Sequence, residues 1–355
     1  MDGKRQVEEL RQEIGKLDVQ LLALIEKRAK HSKRIGELQR GLPQVVSLPD
    51  RGQIEQLVSK AGADVPKEAL REIFREIFAT CFSLEAPVSV SYWGADGGFT
   101  HAAARSRFGV AAAYTACEGP TAALDEVTRQ RASYAVVPFE TRTDGLVQAT
   151  IGALTTSEVK IVGSFDATMN LQLASKASSL AEIEKVYVTA KDHAHCERFF
   201  SQEMPGAQVV DVKTPQAACQ MAGADPRSAA LVHEGFTAEY GLEVIRRNVR
   251  DAGDERVRYA IVGTRPSSRT GSDMTGLVVG VDDSPGALHE MLKQFAERGV
   301  NLTKIQSRPA AGESWQYLFF IEVQGHPTDR AVVGALEEVR RQAKFFKVLG
   351  SYQSS

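Results

Sequence analysis

The sequence predicts a multidomain protein of mixed α and α/β class: a helical segment, then a two-lobed α/β segment, then a small α+β unit. Three observations predict this. Apolar residues before Pro87 recur at helical spacing. Beyond it, short apolar runs alternate with helical stretches, the pattern of a sheet covered by helices. Further on, Pro285-Gly286 separates a strand pattern from a helix pattern, and a new strand pattern begins at Asn301. A chain of 355 residues exceeds what one core usually serves, so two or three domains are expected.

Residues 5–40 read as one long helix, because Leu10, Ile14, Leu17, Leu21, Leu24, Ile25, Arg28, Ile35 and Leu38 recur at spacings of three, four and seven. Gly41 and Pro43 stop it. Two more helices are predicted over 50–61 and 66–84. Three helices in so short a segment cannot bury their apolar stripes alone, and pairing with a second copy is the expected remedy. Strands are then predicted over 88–93, 134–138, 159–165, 185–189, 229–232 and 259–263, and helices over 100–108, 146–154 and 192–200. Residues 265–273 are polar and are expected to form a linker. A strand over 276–281, a helix over 287–297 and a strand over 301–306 follow. The unit ends at Val348-Leu349-Gly350-Ser351-Tyr352. The predicted domain bounds are 1–86, 88–264 and 274–355.

Lys plus Arg number 43 and Asp plus Glu 45, a net charge of -2. That offers no field for a polyanion, and nucleic acid is not an expected partner. Cys81, Cys117, Cys196 and Cys219 lie far apart, which fits a reducing compartment and neither a disulfide framework nor a zinc site. No run approaches a membrane span, so a soluble cytoplasmic protein is expected, with no membrane partner. Asp192, His193 and His195 fall within one turn. His193 and His195, at i and i+2, point apart on a helix, and no metal is expected. No other cofactor is expected either, because the glycine loop over 94–98 lacks the Lys-Ser/Thr of a nucleotide site.

The strand–turn–helix at Pro285-Gly286 leaves unpaired backbone N–H groups at a helix N-terminus, where a small carboxylate can bind. Gly286-Ala287-Leu288 and Gln306-Ser307-Arg308-Pro309 resemble the signature of the phenylalanine-sensing ACT domain of prephenate dehydratases, with Gln306 in place of Glu. Other blocks extend the resemblance. Leu10-Arg11, Ile14, Leu17-Asp18, Leu21-Leu22 and Leu24 resemble the first helix of a chorismate mutase. Tyr92 to Thr100, Ala135-Val136-Val137-Pro138-Phe139-Glu140 and Tyr240-Gly241-Leu242 resemble dehydratase blocks. The whole chain resembles the fused chorismate mutase–prephenate dehydratase family of phenylalanine biosynthesis.

The resemblance implies an all-helical mutase domain, a two-lobed periplasmic-binding-protein-like dehydratase domain and a ferredoxin-like ACT domain. It implies chorismate and prephenate as substrates, L-phenylalanine as effector, and a homodimer or higher assembly. Arg11, Arg28 and Arg51 occupy the family's carboxylate-binding positions, with Arg11 supplied by a partner chain. Glu85 occupies the position that contacts the ether oxygen. In the dehydratase, Glu140, Thr141, His195 and Arg258 stand at site positions. In the ACT unit the implied ligand-binding residues are Gly286, Ala287, Leu288, Asn301, Leu302, Gln306, Ser307 and Arg308.

Several positions depart from the family. Gln39 stands for a Lys and Gly52 for a Glu in the mutase. In the dehydratase, Val257 replaces the Thr that supplies a proton, Thr141 an Asn, and His195 a Gln. Val188, Thr189, Ala190 and Lys191 replace Ser, His, Pro and Gln. Valine is nearly isosteric with threonine but has no proton to give. The expectation is therefore a family member with impaired turnover. The alternatives are a catalytically silent phenylalanine-sensing regulator or a prephenate-using enzyme of altered chemistry.

Overall fold

The computed structural model describes residues 2–39, 51–142, 144–233, 237–251, 255–282, 284–309 and 317–353. It separates into two compact units. One holds the chain up to Val88 with Arg105–Ala112, and the other holds Ser89–Ala104 and Ala113–Ser355. Arg40, Gly41, Pro43 and Asp283 fall outside the described residues.

The first unit is built from α1 (Asp2–Gln39), α2 (Arg51–Ser59) and α3 (Lys67–Glu85). Ile54 and Val58 of α2 and Ala79 and Cys81 of α3 are buried. α1 meets α3 closely at Gly36, where any side chain would overlap the Glu85 backbone. The other end of α1 is different. Val7, Leu10, Ile14, Leu17, Leu21 and Leu24 are each at least 50% exposed. The helical periodicity is there, but most of its apolar stripe has no partner within the described residues.

The second unit opens with β1 (Ser89–Trp93), the first part of α4 (Phe99–Phe108, whose residues from Arg105 belong to the first unit), β2 (Ala113–Cys117), α5 (Pro120–Thr128), β3 (Tyr134–Thr141), β4 (Gly145–Leu146), α6 (Gln148–Thr156) and β5 (Lys160–Met169). A second lobe follows: β6 (Gln172–Ser175), β7 (Lys185–Val188), α7 (Ala190–Ala194), α8 (Glu197–Glu203), β8 (Gln208–Asp211), α9 (Pro215–Ala224), β9 (Ser228–Val232) and β10 (Glu243–Arg246). β11 (Glu255–Gly263) returns to the first lobe. Then come β12 (Asp273–Gly280), α10 (Ala287–Ala296), β13 (Leu302–Pro309), β14 (Tyr317–Gln324), α11 (Arg330–Gln342) and β15 (Phe345–Gln353).

The second lobe is a five-stranded sheet in the order β10-β6-β9-β7-β8. The first lobe and the α+β unit share one ten-stranded sheet, β13-β14-β12-β15-β5-β11-β3-β1-β2, with β4 beside β3. The joint is narrow. β15 runs parallel to β5 at a single register pair, Gly350 with Ile161, and Lys160 donates to the Val348 carbonyl at 2.6 Å.

The α+β sheet is covered on both faces, which explains why β12 is buried throughout. Leu277, Val279, Ile321 and Val323 pack with Met291 and Phe295 of α10 and Val332, Leu336 and Val339 of α11. On the other face, Met274, Val278, Phe320, Leu349 and Tyr352 join Leu124, Val137, Phe139, Ile151 and Leu154 in one core. Alternate residues of one strand thus serve two cores.

Three expectations need correction. The helix expected over 192–200 is two helices, broken at Cys196 (φ -134, ψ 18). Asp251 accepts from Arg198 N at 2.8 Å and Phe199 N at 3.1 Å, which satisfies the N-terminus of α8. The strand expected over 134–138 continues to Thr141, because Pro138, which has no N–H to pair, sits where the register with β11 shifts. The polar stretch at 265–273 is folded. Asp273 is the first residue of β12 and gathers Thr270 N, Thr270 Oγ1 and Gly271 N, while Ser267 Oγ donates to the Ser351 carbonyl at 2.5 Å.

Gly350 lies at φ +148, and a Cβ there would overlap the Ile161 backbone. Gly350→Ala is therefore expected to destabilise the protein by more than about 2 kcal/mol. Gly299, at φ +66 with open space around it, should tolerate alanine at about 1 kcal/mol. Chemical denaturation of the two variants checks the contrast.

Candidate active site

In the first unit, two of the expected groups, Arg28 and Glu85, come together, with Ser32 beside them. Arg28 Nη1 donates to the Ile77 carbonyl at 3.4 Å, and its guanidinium lies 4.3 Å from the centre of the Phe78 ring. Ser32, one turn further along α1, donates to Glu85 Oε1 at 3.3 Å. Burial pushes the Glu85 carboxyl above its usual range, against the opposing pull of Ser32 and Arg28. A carboxyl displaced this way keeps more of the protonated form, a hydrogen-bond donor. Arg11 is exposed on the same helix, 17 residues away, or roughly 25 Å along the axis. No single site in this chain holds both arginines. Arg51 opens α2; its side chain lies outside the described residues.

In the second unit, Glu140 and Arg258 belong to a buried ionic cluster. Glu322 of β14 is its hub. Glu322 Oε2 accepts from Arg258 Nη2 at 2.5 Å and from the Tyr352 hydroxyl at 2.6 Å, and Oε1 accepts from Thr303 Oγ1 at 3.0 Å. Arg258 also pairs with Glu140 at 3.3 Å and lies over the rings of Phe139 and Tyr352. Lys304 completes the set on Glu140 Oε1. Two cations balance two carboxylates, which is what a buried cluster requires. Burial alone would raise the Glu322 carboxyl; Arg258, Tyr352 and Thr303 outweigh it and hold the group below its usual range. Burial and the nearby Glu322 charge push the Tyr352 phenol well above its normal range.

Strand alternation decides what this cluster touches. Val257 and Arg258 are successive residues of β11 and project to opposite faces. Arg258 faces Glu322 of the α+β unit. Val257 is buried in the sheet between Thr141 and Ala167. Thr141 Oγ1 closes the β3–β4 turn by accepting from Asp144 N at 2.9 Å.

β13 shows the same logic. Thr303, Ile305 and Ser307 are exposed, while Lys304, Gln306 and Arg308 are half-buried. Lys304 binds Glu140, Gln306 Oε1 accepts from Leu146 N at 3.4 Å, and Arg308 Nη2 donates to Thr155 Oγ1 at 3.4 Å. One face of this strand is thus seamed to β3, β4 and α6. The helix start expected nearby is present: Gly286 takes φ +87 as N-cap of α10, and its carbonyl accepts from Glu290 N at 2.9 Å. Ala287 and Leu288 form the first turn of α10, half-buried. Asn301 is exposed, its carbonyl accepting from Gln324 N, and Leu302 packs on the α10–α11 core.

His195 is the C-cap of α7, and its carbonyl accepts from Asp251 N at 2.9 Å. Beside it Asp192 is buried and accepts from Thr189 Oγ1 at 2.7 Å. Burial pushes its carboxyl up, against Thr189 and the charges of Lys191, His195 and Arg250. Among the described residues no three His, Cys, Asp or Glu side chains are grouped to hold a metal, and no helix is long and apolar enough to cross a membrane.

Comparison with known proteins assigns all three parts. Residues 10–86 match the type II chorismate mutase model, 90–267 the prephenate dehydratase model and 275–341 the ACT domain model. A bifunctional chorismate mutase/prephenate dehydratase of Aquifex aeolicus is 38% identical over 353 residues, 98% of each chain. The chain belongs to the bifunctional chorismate mutase/prephenate dehydratase family. Its counterpart in Pseudomonas aeruginosa is 31% identical over 99% of both chains. The crystal structure of an Arthrobacter aurescens prephenate dehydratase in complex with L-Phe covers 75% of this chain and 90% of that one, with 32% identity and a TM-score of 0.64.

Within this family frame, sequence reasoning missed Glu322, Lys304 and Tyr352 as partners of Glu140 and Arg258. The available signal was a charged residue inside an apolar strand run, Glu322 between Ile321 and Val323. Removing one member of such a pair strands the other. Glu322→Gln is expected to cost roughly 3 kcal/mol at neutral pH. Because the folded-state carboxyl is lowered, its contribution is complete above the ordinary glutamate value of about 4.3 and is lost as pH falls through the lowered value. The stability gap between wild type and variant should therefore close in acid; denaturation at pH 7 and below pH 4 measures it.

Proposed function

We propose that this chain rearranges chorismate to prephenate in its first unit and converts prephenate to phenylpyruvate in its second, with phenylalanine as effector at the ACT module. The observation that carries the reading is the match of all three modules, in order, within one full-length relative. Free thiols at Cys81, Cys117, Cys196 and Cys219 suit work in a reducing cytoplasm.

The rearrangement is unimolecular, so the protein must fold the substrate and stabilise charge on the departing ether oxygen. Arg28 and Arg51 hold carboxylates as bidentate forks. Glu85, whose carboxyl burial shifts toward the protonated form, faces the ether oxygen as a donor. Arg11 reaches the site only from a second copy, whose α1 lies along the exposed stripe from Val7 to Leu24. The same contact thus completes the site and covers the apolar face. Leu17→Asp is expected to yield a monomer by sedimentation and to lower chorismate turnover by at least about 100-fold, since a preorganised donor is lost with the partner. A dimeric variant with full turnover would refute the shared site.

In the second unit the ring hydroxyl must leave as carbon dioxide departs, which calls for an acid. The ionic cluster serves a different purpose. Through Arg258 and Glu140 it ties ACT strands β13 and β14 to β11 and β3, the strands that carry Val257 and Thr141. Effector binding that shifts β13 is thereby felt at the dehydratase strands.

One observation favours a second reading: the aliphatic Val257. In that reading the lobes bind prephenate without expelling its hydroxyl, as a silent sensor or in a reaction that leaves the ring unaromatised. Purified protein given chorismate and prephenate separately distinguishes the two. The first reading expects phenylpyruvate and carbon dioxide, with turnover lowered by phenylalanine; prephenate that is bound but never aromatised establishes the second. If the second holds, Val257→Thr alone should not restore aromatisation, because Thr141, Val188 and His195 also differ from the family pattern.

A further inference from the structure

Carboxyl ends of parallel strands are where α/β sheets take their ligands. β1 is parallel to β2 and β3, and β7 is parallel to β8 and β9. The segments that follow β1 and β9 meet in one place. Phe99, behind the glycine loop after β1, touches the ring of His233, the residue after β9. Their ring centres are 3.5 Å apart and their planes stand at 87°. Arg250, on the return crossing between the lobes, donates to the carbonyl of Met169 on the outward crossing at 3.3 Å. Its charge acts on His233 and also on Asp192, in the first turn after β7.

His233 is 6% exposed, yet among the described residues its Nε2 has no hydrogen-bond partner. Buried ring nitrogens are normally paired, and one left unpaired carries its full desolvation penalty. Phe99, which touches the ring, belongs to an apolar cluster with Leu171, Leu231 and Val249. Burial first, and then the Arg250 charge, push the imidazole down to about 3. The ring is therefore neutral at physiological pH, with one N–H to give and no charge to cancel.

We infer that His233 is a substrate-binding residue of the interlobe site, donating Nε2–H to a carboxylate oxygen of a small dicarboxylic acid held in the field of Arg250. This rests on the reading of the second unit as a prephenate-handling module. A buried nitrogen kept without a partner in the free protein and satisfied by the ligand makes the site selective, because an analogue lacking that oxygen leaves the penalty in place.

The test is calorimetric titration of prephenate into the full-length protein and into His233→Leu and His233→Gln. Leucine removes the donor and the buried polar atom together; glutamine returns an amide N–H at similar reach. The leucine variant is expected to melt no lower than wild type and to bind phenylalanine as wild type does. It should bind prephenate at least about tenfold more weakly, and the glutamine variant should regain most of that loss. Equal prephenate binding by wild type and the leucine variant overturns the inference while leaving the proposed function standing. So does a weakening that glutamine fails to relieve. A wild-type protein that does not bind prephenate overturns both.

Discussion

The carboxylate of Glu322 is the constraint on which the second unit depends. It is 96% withdrawn from solvent in a sheet interior, its side chain being 4% exposed, and a bare charge there is not tolerable. Arg258, Tyr352 and Thr303 satisfy it, and Arg258 in turn needs Glu140, which draws Lys304. Glu322 is buried only because these partners are in place. The module that carries the ligand-sensing signature and the module that carries the lyase signature are therefore not separately complete.

Strand alternation turns that constraint into function. On β11, Arg258 is committed to the regulatory side while its neighbour Val257 lies on the other face. On β13, Lys304, Gln306 and Arg308 face the lyase lobe while Ile305 and Ser307 face away, and Thr303, at the register shift, reaches Glu322. Moving either strand by one residue would exchange these roles wholesale. Tight ionic pairing on one face thus fixes the register that places side chains on the other.

Much of the architecture was legible in the residues. The helical spacing from Leu10 to Leu38, the change from helix to strand at Pro87 and the Pro285-Gly286 helix start all correspond to observed elements. The strands β2, β4, β6, β8, β10 and β14 were not foreseen. Ala113–Cys117 and Gln172–Ser175 are short and carry small or polar residues, which give little period-two signal. α9 is rich in alanine and glycine, so its buried face is Ala218, Cys219 and Ala222 with no large apolar stripe. The site was legible in part. Arg28 and Glu85, singled out by the family pattern, come together beside Ser32 in the first unit. The partners of Glu140 and Arg258 were not legible, because alternation says that residues 304, 306 and 308 share a face and not which body covers it. His233 follows an apolar strand like many surface histidines, and only the packed lobes reveal its burial.

The joint at Gly350 bears on how the protein is made. Lys160 and Val348 meet across 188 residues of chain, and Leu349 and Tyr352 fill a core begun by Leu124 and Val137. During synthesis, β5 and the residues around it must wait until β15 has emerged before that core can close. Nascent chains stalled short of residue 345 would present an open sheet edge and unfilled apolar surface. The lyase lobe, though translated early, matures late.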